Sequence, residues 1–147
     1  MSTVQDVLGT KGSEVLMIPP DTRVDRVAQR MRHAHVGAFV VSRDGARVDG
    51  LVTERDLVEA IAKHGRAALD LRVSSVMEYR VLTCRPDDSV RSVMATMTHE
   101  RVRHLPVVRD GAVCGIISIG DVIKTYVDET DLEASVMRDF VLAQRAR

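Results

Sequence analysis

Two short stretches of this chain carry residue types that could do chemistry at matched spacing: Gly50-Leu51-Val52-Thr53-Glu54-Arg55-Asp56 and Gly115-Ile116-Ile117-Ser118-Ile119-Gly120-Asp121. In each, a glycine opens an apolar run, a hydroxyl closes it, and a carboxylate follows three residues later. A residue without a β-carbon admits a ligand or a second backbone at close range. A helix starting after the hydroxyl presents free N–H groups and the positive end of its dipole, which suits a phosphate. A carboxylate at that spacing can accept both hydrogens of a ribose cis-diol, the use that dinucleotide-binding folds make of an acidic residue. The same residues also make an ordinary helix cap, since Asp is common at helix starts and Ser or Thr often bonds local backbone. Duplication preserves caps as readily as sites, so the residue types alone leave both readings open.

The elements that must position these residues are legible because the chain repeats itself. Val15-Leu16-Met17-Ile18-Pro19-Pro20-Asp21-Thr22-Arg23-Val24 lies over Val81-Leu82-Thr83-Cys84-Arg85-Pro86-Asp87-Asp88-Ser89-Val90 at a constant offset of 66 residues. In that register Val27, Met31, His33, Val36, Val41, Arg43, Asp44 and Gly45 meet identical residue types at Val93, Met97, His99, Val102, Val107, Arg109, Asp110 and Gly111. One residue then drops out, and the offset becomes 65 through Gly50/Gly115 to Asp56/Asp121. Two copies of this length are a duplicated unit rather than a solenoid. Each is too short to bury a large core alone, so the two are expected to pack face to face.

Within each unit, Asp21 and Asp87 precede apolar positions at helical spacing (Val24/Val27/Ala28/Met31 and Val90/Val93/Met94/Met97), which predicts helices capped by those acids. The apolar runs Val36–Ser42 and Val102–Val108, the turns Asp44-Gly45 and Asp110-Gly111, and the runs Val48–Thr53 and Val113–Ser118 predict two hairpins. Second helices follow from Asp56 and Asp121. The expected architecture is therefore α/β, two pseudo-symmetric strand-helix-strand-strand-helix repeats, with residues 1–66 forming the first and 67–128 the second. Residues 129–147 are expected to form a C-terminal amphipathic helix: Thr130-Asp131-Leu132-Glu133 reads as a capping box, and Leu132, Val136, Met137, Phe140 and Val141 make an apolar stripe.

Composition narrows the function classes. Among 147 residues, 21 Lys and Arg balance 21 Asp and Glu, which removes the electrostatic attraction that nucleic-acid and anionic-membrane binders rely on. Two Phe, two Tyr and no Trp leave no stacking platforms for single-stranded nucleic acid. The apolar runs are too short to cross a bilayer, and the first residues lack the basic-then-apolar pattern of a secretory signal, so a cytoplasmic location is expected. Cys84 and Cys114 belong to no metal-ligand or CxxC pattern and read as apolar packing groups, with a redox pair as the alternative. His33-x-His35 could be drawn as a metal pair, but His33 repeats as His99 at a helix end, where a cation suits the dipole. No metal is expected. No Gly-x-Ser-x-Gly, Walker or Rossmann pattern anchors a catalytic reading, so no enzyme is expected.

The twofold Gly-h-h-Thr/Ser-x-x-Asp pattern, where h is a hydrophobic residue, occurs with Arg103-His104-Leu105-Pro106-Val107-Val108 before an Asp-Gly turn and with Ser118-Ile119-Gly120-Asp121-Val122-Ile123-Lys124. As a set these resemble cystathionine-β-synthase (CBS) domains, which occur as tandem pairs called Bateman modules. The resemblance covers about residues 4 to 128 and is that of a stand-alone CBS pair. It implies a regulatory, non-catalytic module whose inter-repeat cleft binds AMP, ADP, ATP, S-adenosylmethionine or NAD-type ligands, in a homodimer acting on a regulated protein the sequence does not name. By position it implies that Thr53 with Asp56 and Ser118 with Asp121 meet ribose or phosphate. Met17, Val36, Gly37, Ala38, Thr83 and Val102, with Arg103 and His104, would flank the adenine, often from the opposite repeat. The first copy departs from the second in carrying Phe39-Val40 where Leu105-Pro106 stands. If the sites cross, Asp56, beside Arg55, would face Arg103 and His104 and take the more phosphorylated ligand, while Asp121 would face Gly37 and Ala38. The alternative from a different class is a structural dimerisation module whose aspartates only cap helices.

Overall fold

The structure, a computed structural model, describes residues 1–12 and 17–146. Val15 and Leu16, which open the expected first strand, lie outside the described residues. The chain runs α1 (Val4–Lys11), β1 (Met17–Ile18), α2 (Val24–Ala34), β2 (Ala38–Val41), β3 (Gly50–Thr53), α3 (Glu54–His64), two short 3-10 turns (Gly65–Asp70 and Val73–Ser75), α4 (Val90–Glu100), β4 (His104–Arg109), β5 (Ala112–Ser118) and α5 (Ile119–Arg145).

In the first repeat β2 is the middle strand, parallel to β1 (Met17 beside Val40) and antiparallel to β3 (Ala38 opposite Thr53, Val41 opposite Gly50). The pleat sends successive side chains to opposite faces. Phe39 and Val41 enter a core with Ile18, Val24, Val27, Met31, Val52 and Leu57. Ala38 and Val40 face the other way, and with Leu51 they meet Val113 and Ile116 of β5. That seam, tied by Val113 N–H donating to Ala46 O at 2.8 Å, is where the repeats pack face to face. In the second repeat β4 and β5 pair with His104 opposite Ser118, and the two-residue turn Asp110-Gly111 takes positive φ at both positions, the hairpin geometry that Asp-Gly favours. The expected strand before α4 shrinks to one parallel bridge, Cys84 to Val107.

The repeats are interleaved. Helix α1 opens the first repeat in sequence, yet Val4, Val7 and Leu8 are buried in the second core with Cys84, Val90, Val93, Met97, Leu105, Val107, Ile117 and Val122. Reciprocally, Val73 and Met77, near the start of the second repeat, are buried in the first core. Val4, Val7 and Leu8 correspond to Val73, Val76 and Met77 at an offset of 69. The glycines that open the site motifs make room for these crossing segments: a β-carbon on Gly50 would collide with Met77, and one on Gly115 would lie 2.6 Å from Leu8 Cδ2. The close approach expected at these glycines is therefore made by protein side chains.

The crossing also corrects the expected helix starts. Asp21 and Asp87 do not cap α2 and α4, which begin later, at Val24 and Val90. Their N-termini are met by backbone of the crossing segments: Val24 N–H donates to Leu71 O at 2.9 Å, and Val90 N–H to Ser2 O at 3.0 Å. Ser89 is the side-chain cap of α4, accepting from Ser92 N–H at 3.1 Å. A second correction concerns the tail. Thr130 starts no new helix; α5 continues through it as one 27-residue rod, about 40 Å long, and the Thr130 hydroxyl donates back to Tyr126 O at 2.9 Å.

Candidate ligand cleft

Each motif hydroxyl sits where a strand ends and a helix begins, and each forms a capping box. Thr53 Oγ1 accepts from Asp56 N–H at 3.4 Å, while Asp56 Oδ2 accepts from Thr53 N–H at 2.8 Å and from the Thr53 hydroxyl at 3.1 Å. Ser118 Oγ accepts from Asp121 N–H at 3.2 Å, and Asp121 Oδ2 accepts from Ser118 N–H at 2.9 Å. A third box opens α1, where Asp6 Oδ2 accepts from Thr3 N–H at 2.8 Å. Capping is thus an actual job of these acids.

What distinguishes Asp56 and Asp121 is their surroundings. Both are half-buried at strand ends next to the inter-repeat seam, because Ala38 lies opposite Thr53 and His104 lies opposite Ser118. Gly37 and Arg103 hold equivalent positions, each accepting from the first helical N–H of its repeat: Glu54 N–H to Gly37 O at 3.1 Å and Ile119 N–H to Arg103 O at 2.8 Å. Gly37 brings the repeats together, since a β-carbon there would stand 3.6 Å from both the Glu54 carboxyl and His104 Cε1. His104 therefore reaches across to the first repeat.

The two halves differ electrostatically. Burial pushes the Asp56 carboxyl above its ordinary range, against the backbone and hydroxyl of Thr53, and Glu59 and Glu78 push the same way. Burial also opposes ionisation at Asp121, but the Lys11 ammonium and Ser118 outweigh it and hold that carboxyl low. Lys11 Nζ lies 2.6 Å from Asp121 Oδ2 and donates to Ile116 O at 3.0 Å. Burial lowers the His104 pKa, helped by Lys11 and Arg103 and opposed by Asp121 and Glu54. The two motif acids thus differ in their charged neighbours: Lys11 pairs with Asp121, whereas Glu59 and Glu78 act on Asp56 and no ion pair reaches it among the described residues.

The structure thus brings Gly37, His104, Ser118 and Asp121 to one region and sets Thr53 and Asp56 beside Ala38. Val36 and Val102 are half-buried against the cores of their own repeats, and Met17 lines the seam. Arg55, Thr83 and Arg103 are exposed, with no ion pair to either arginine among the described residues. Sequence reasoning missed Lys11 and Glu54. The signal for Lys11 was the Thr3-x-x-Asp6 box followed by Val4, Val7 and Leu8 at helical spacing, which announces a helix whose last turn holds this lysine. Cys84 is buried with its thiol pushed up to about 12 by burial, and by Asp88 and Cys114, which makes it a packing group. Among the described residues no cluster of His, Cys, Asp or Glu is arranged to hold a metal, and no helix is long and apolar enough to cross a membrane.

Two interleaved α/β repeats, with capped acids either side of a seam, define a paired-repeat module of the kind that the sequence motifs resemble. The chain belongs to the CBS domain family, whose pattern it matches twice, over residues 4–63 and 73–128. It is 35% identical to the mitochondrial CBS domain-containing protein CBSX3 of Arabidopsis thaliana over 137 residues, 87% of this chain and 66% of that longer protein. Among solved structures it resembles the CBS-domain protein ATU1752 of Agrobacterium tumefaciens, with 40% identity and a TM-score of 0.82, covering 85% of this chain and 99% of that one. The CBS domain pair of MJ0100, solved with 5′-methylthioadenosine and S-adenosylmethionine, shares the fold at 19% identity and a TM-score of 0.76, over 88% and 98% of the two chains.

Proposed function

We propose that this CBS pair is a regulatory module, not an enzyme, that binds adenosine-containing ligands (AMP, ADP, ATP, S-adenosylmethionine or NAD-type dinucleotides) in the cleft between its repeats. The observation that carries the reading is the placement of Thr53/Asp56 and Ser118/Asp121 at two helix N-termini beside the seam where His104 meets Gly37. Helix N-termini suit phosphate, and half-buried carboxylates suit ribose hydroxyls. The adenosine ligands of MJ0100 support the same ligand class. Binding would stabilise one arrangement of the repeats by its differential affinity and so alter the surface offered to a regulated protein. The module acts as a homodimer in the cytoplasm on this reading.

A structural dimerisation module is the second reading, favoured by one observation: the Asp6 box shows that a Thr-x-x-Asp pair caps a helix in this chain at the start of α1, beside Ser89. Thermal unfolding with each ligand separates the two. Saturation at a hundredfold the dissociation constant adds about 2.7 kcal/mol. The variants should be Asp56→Asn and Asp121→Asn, which keep a side-chain oxygen for the capping box; alanine would break the box and weaken the helix start by itself. A ligand shift abolished by one Asn variant supports the nucleotide reading. No shift with any ligand, in protein freed of nucleotide, leaves the structural module.

A further inference from the structure

The Lys11–Asp121 pair joins two elements that the repeat pattern keeps apart. Lys11 ends α1, which the chain delivers across the seam to the second core, and its ammonium bridges Asp121 Oδ2 and the Ile116 carbonyl. At the matching place in the first repeat stands Arg80, three residues after Met77 as Lys11 is three after Leu8. No Lys or Arg among the described residues forms an ion pair with Asp56. The pair is partly shielded, with the Lys11 and Asp121 side chains 35% and 27% exposed.

We infer that Lys11 is the specificity-determining residue of the Asp121 half of the cleft, making it selective for adenosine ligands that carry an anionic group. This rests on the nucleotide reading above. A cis-diol that takes both oxygens of Asp121 competes with Lys11 for Oδ2, and the released ammonium is better served by a second anion than by none. A neutral nucleoside offers no replacement. A 5′-phosphate does: it accepts a charge-assisted hydrogen bond from the freed ammonium while the diol engages the carboxylate. At Asp56 no such exchange is needed, so that half should discriminate less between charged and neutral ligands. Lys11 carries its charge on a flexible stem that can turn from carboxylate to phosphate without leaving its helix.

The test is calorimetric titration of AMP and adenosine into Asp56→Asn, which isolates the Asp121 half, and into the same protein carrying Lys11→Met or Lys11→Arg. Wild-type protein is titrated in parallel. Asp56→Asn should prefer AMP over adenosine by about tenfold or more, the scale of one charge-assisted contact. Lys11→Met keeps the apolar stem and should shrink that ratio severalfold, in part by tightening adenosine, while Lys11→Arg should retain it. An unchanged ratio in Lys11→Met, with AMP still bound, would overturn the role of Lys11 and leave the nucleotide site standing. Absence of AMP and adenosine binding in wild-type protein, with the other adenosine ligands also inert, would remove the nucleotide reading and this inference together.

Discussion

Leu8 occupies the space that a side chain on Gly115 would need, its Cδ2 standing 2.6 Å from where the β-carbon would be. The contact joins the first helix of the chain to the middle of the last strand, across the whole of the first repeat. It fixes where α1 can sit, and with it Lys11.

Gly115→Ala is expected to destabilise the protein by about 1–3 kcal/mol, the usual cost of overfilling a packed core. Leu8→Ala opens a cavity and should cost about 2–5 kcal/mol. The new methyl partly fills that cavity, so the double variant should be more stable than the two losses added together. Urea unfolding of the four proteins measures the coupling; simple additivity would show that the two residues do not share this space.

His104 predicts a pH dependence. Its folded pKa lies below the ordinary 6.5 because burial disfavours the imidazolium, with Lys11 and Arg103 adding to that and Asp121 and Glu54 acting against it. Between the folded value and 6.5 the unfolded chain binds the extra proton and the folded chain does not. Stability contributed here is therefore present above pH 6.5 and lost as pH falls toward the folded value. His104→Gln should flatten that part of the stability profile between pH 7 and 5. Parallel profiles for wild type and variant would rule out His104 as the source.

The outer part of α5 predicts an association. Leu132, Val136, Met137, Phe140, Val141 and Leu142 are 42% to 65% exposed, and Ile123 and Val127 extend the apolar face back into the second repeat. Removing residues 130–147 leaves both cores and the Glu129 contact to Ser2 N–H intact. The shortened protein should melt near the full chain yet dissociate at higher concentration in sedimentation. An unchanged dimer would place the self-association elsewhere.

Much of this fold could be read from the residue pattern. The repeat located four helices and both antiparallel strand pairs, because apolar period is a local property, but only Asp110-Gly111 makes the expected two-residue turn; β2 and β3 are joined through residues 42–49. The interleaving was not local. Val4/Val73, Val7/Val76 and Leu8/Met77 run at a different offset, 69 rather than 66, and nothing near them in sequence reveals which core they enter. The same crossing explains why Asp21 and Asp87 misled: backbone from distant segments meets α2 and α4, and a distant partner leaves no trace in the capping pattern. Thr130-x-x-Glu133 misled for the opposite reason. A capping box starts a helix only where the preceding turn is absent, and here α5 already runs through from Ile119. At the site, hydroxyl and acid were visible, whereas Lys11 reaches Asp121 only once the chain has folded back.

The exchange of segments also bears on how such a chain is made and where it came from. As it is synthesised, Val4, Val7 and Leu8 emerge before either core is complete and find their own only after β5 and the start of α5 exist, so α1 waits for nearly the end of the second repeat. A protein carrying a single repeat would have an entering helix and no place within itself to put it. Two copies of that shorter chain could trade helices and complete one another, which is the arrangement seen here with the two copies joined end to end. Joining them replaces an encounter between molecules, governed by their abundance, with one whose effective concentration is set by the connecting segment.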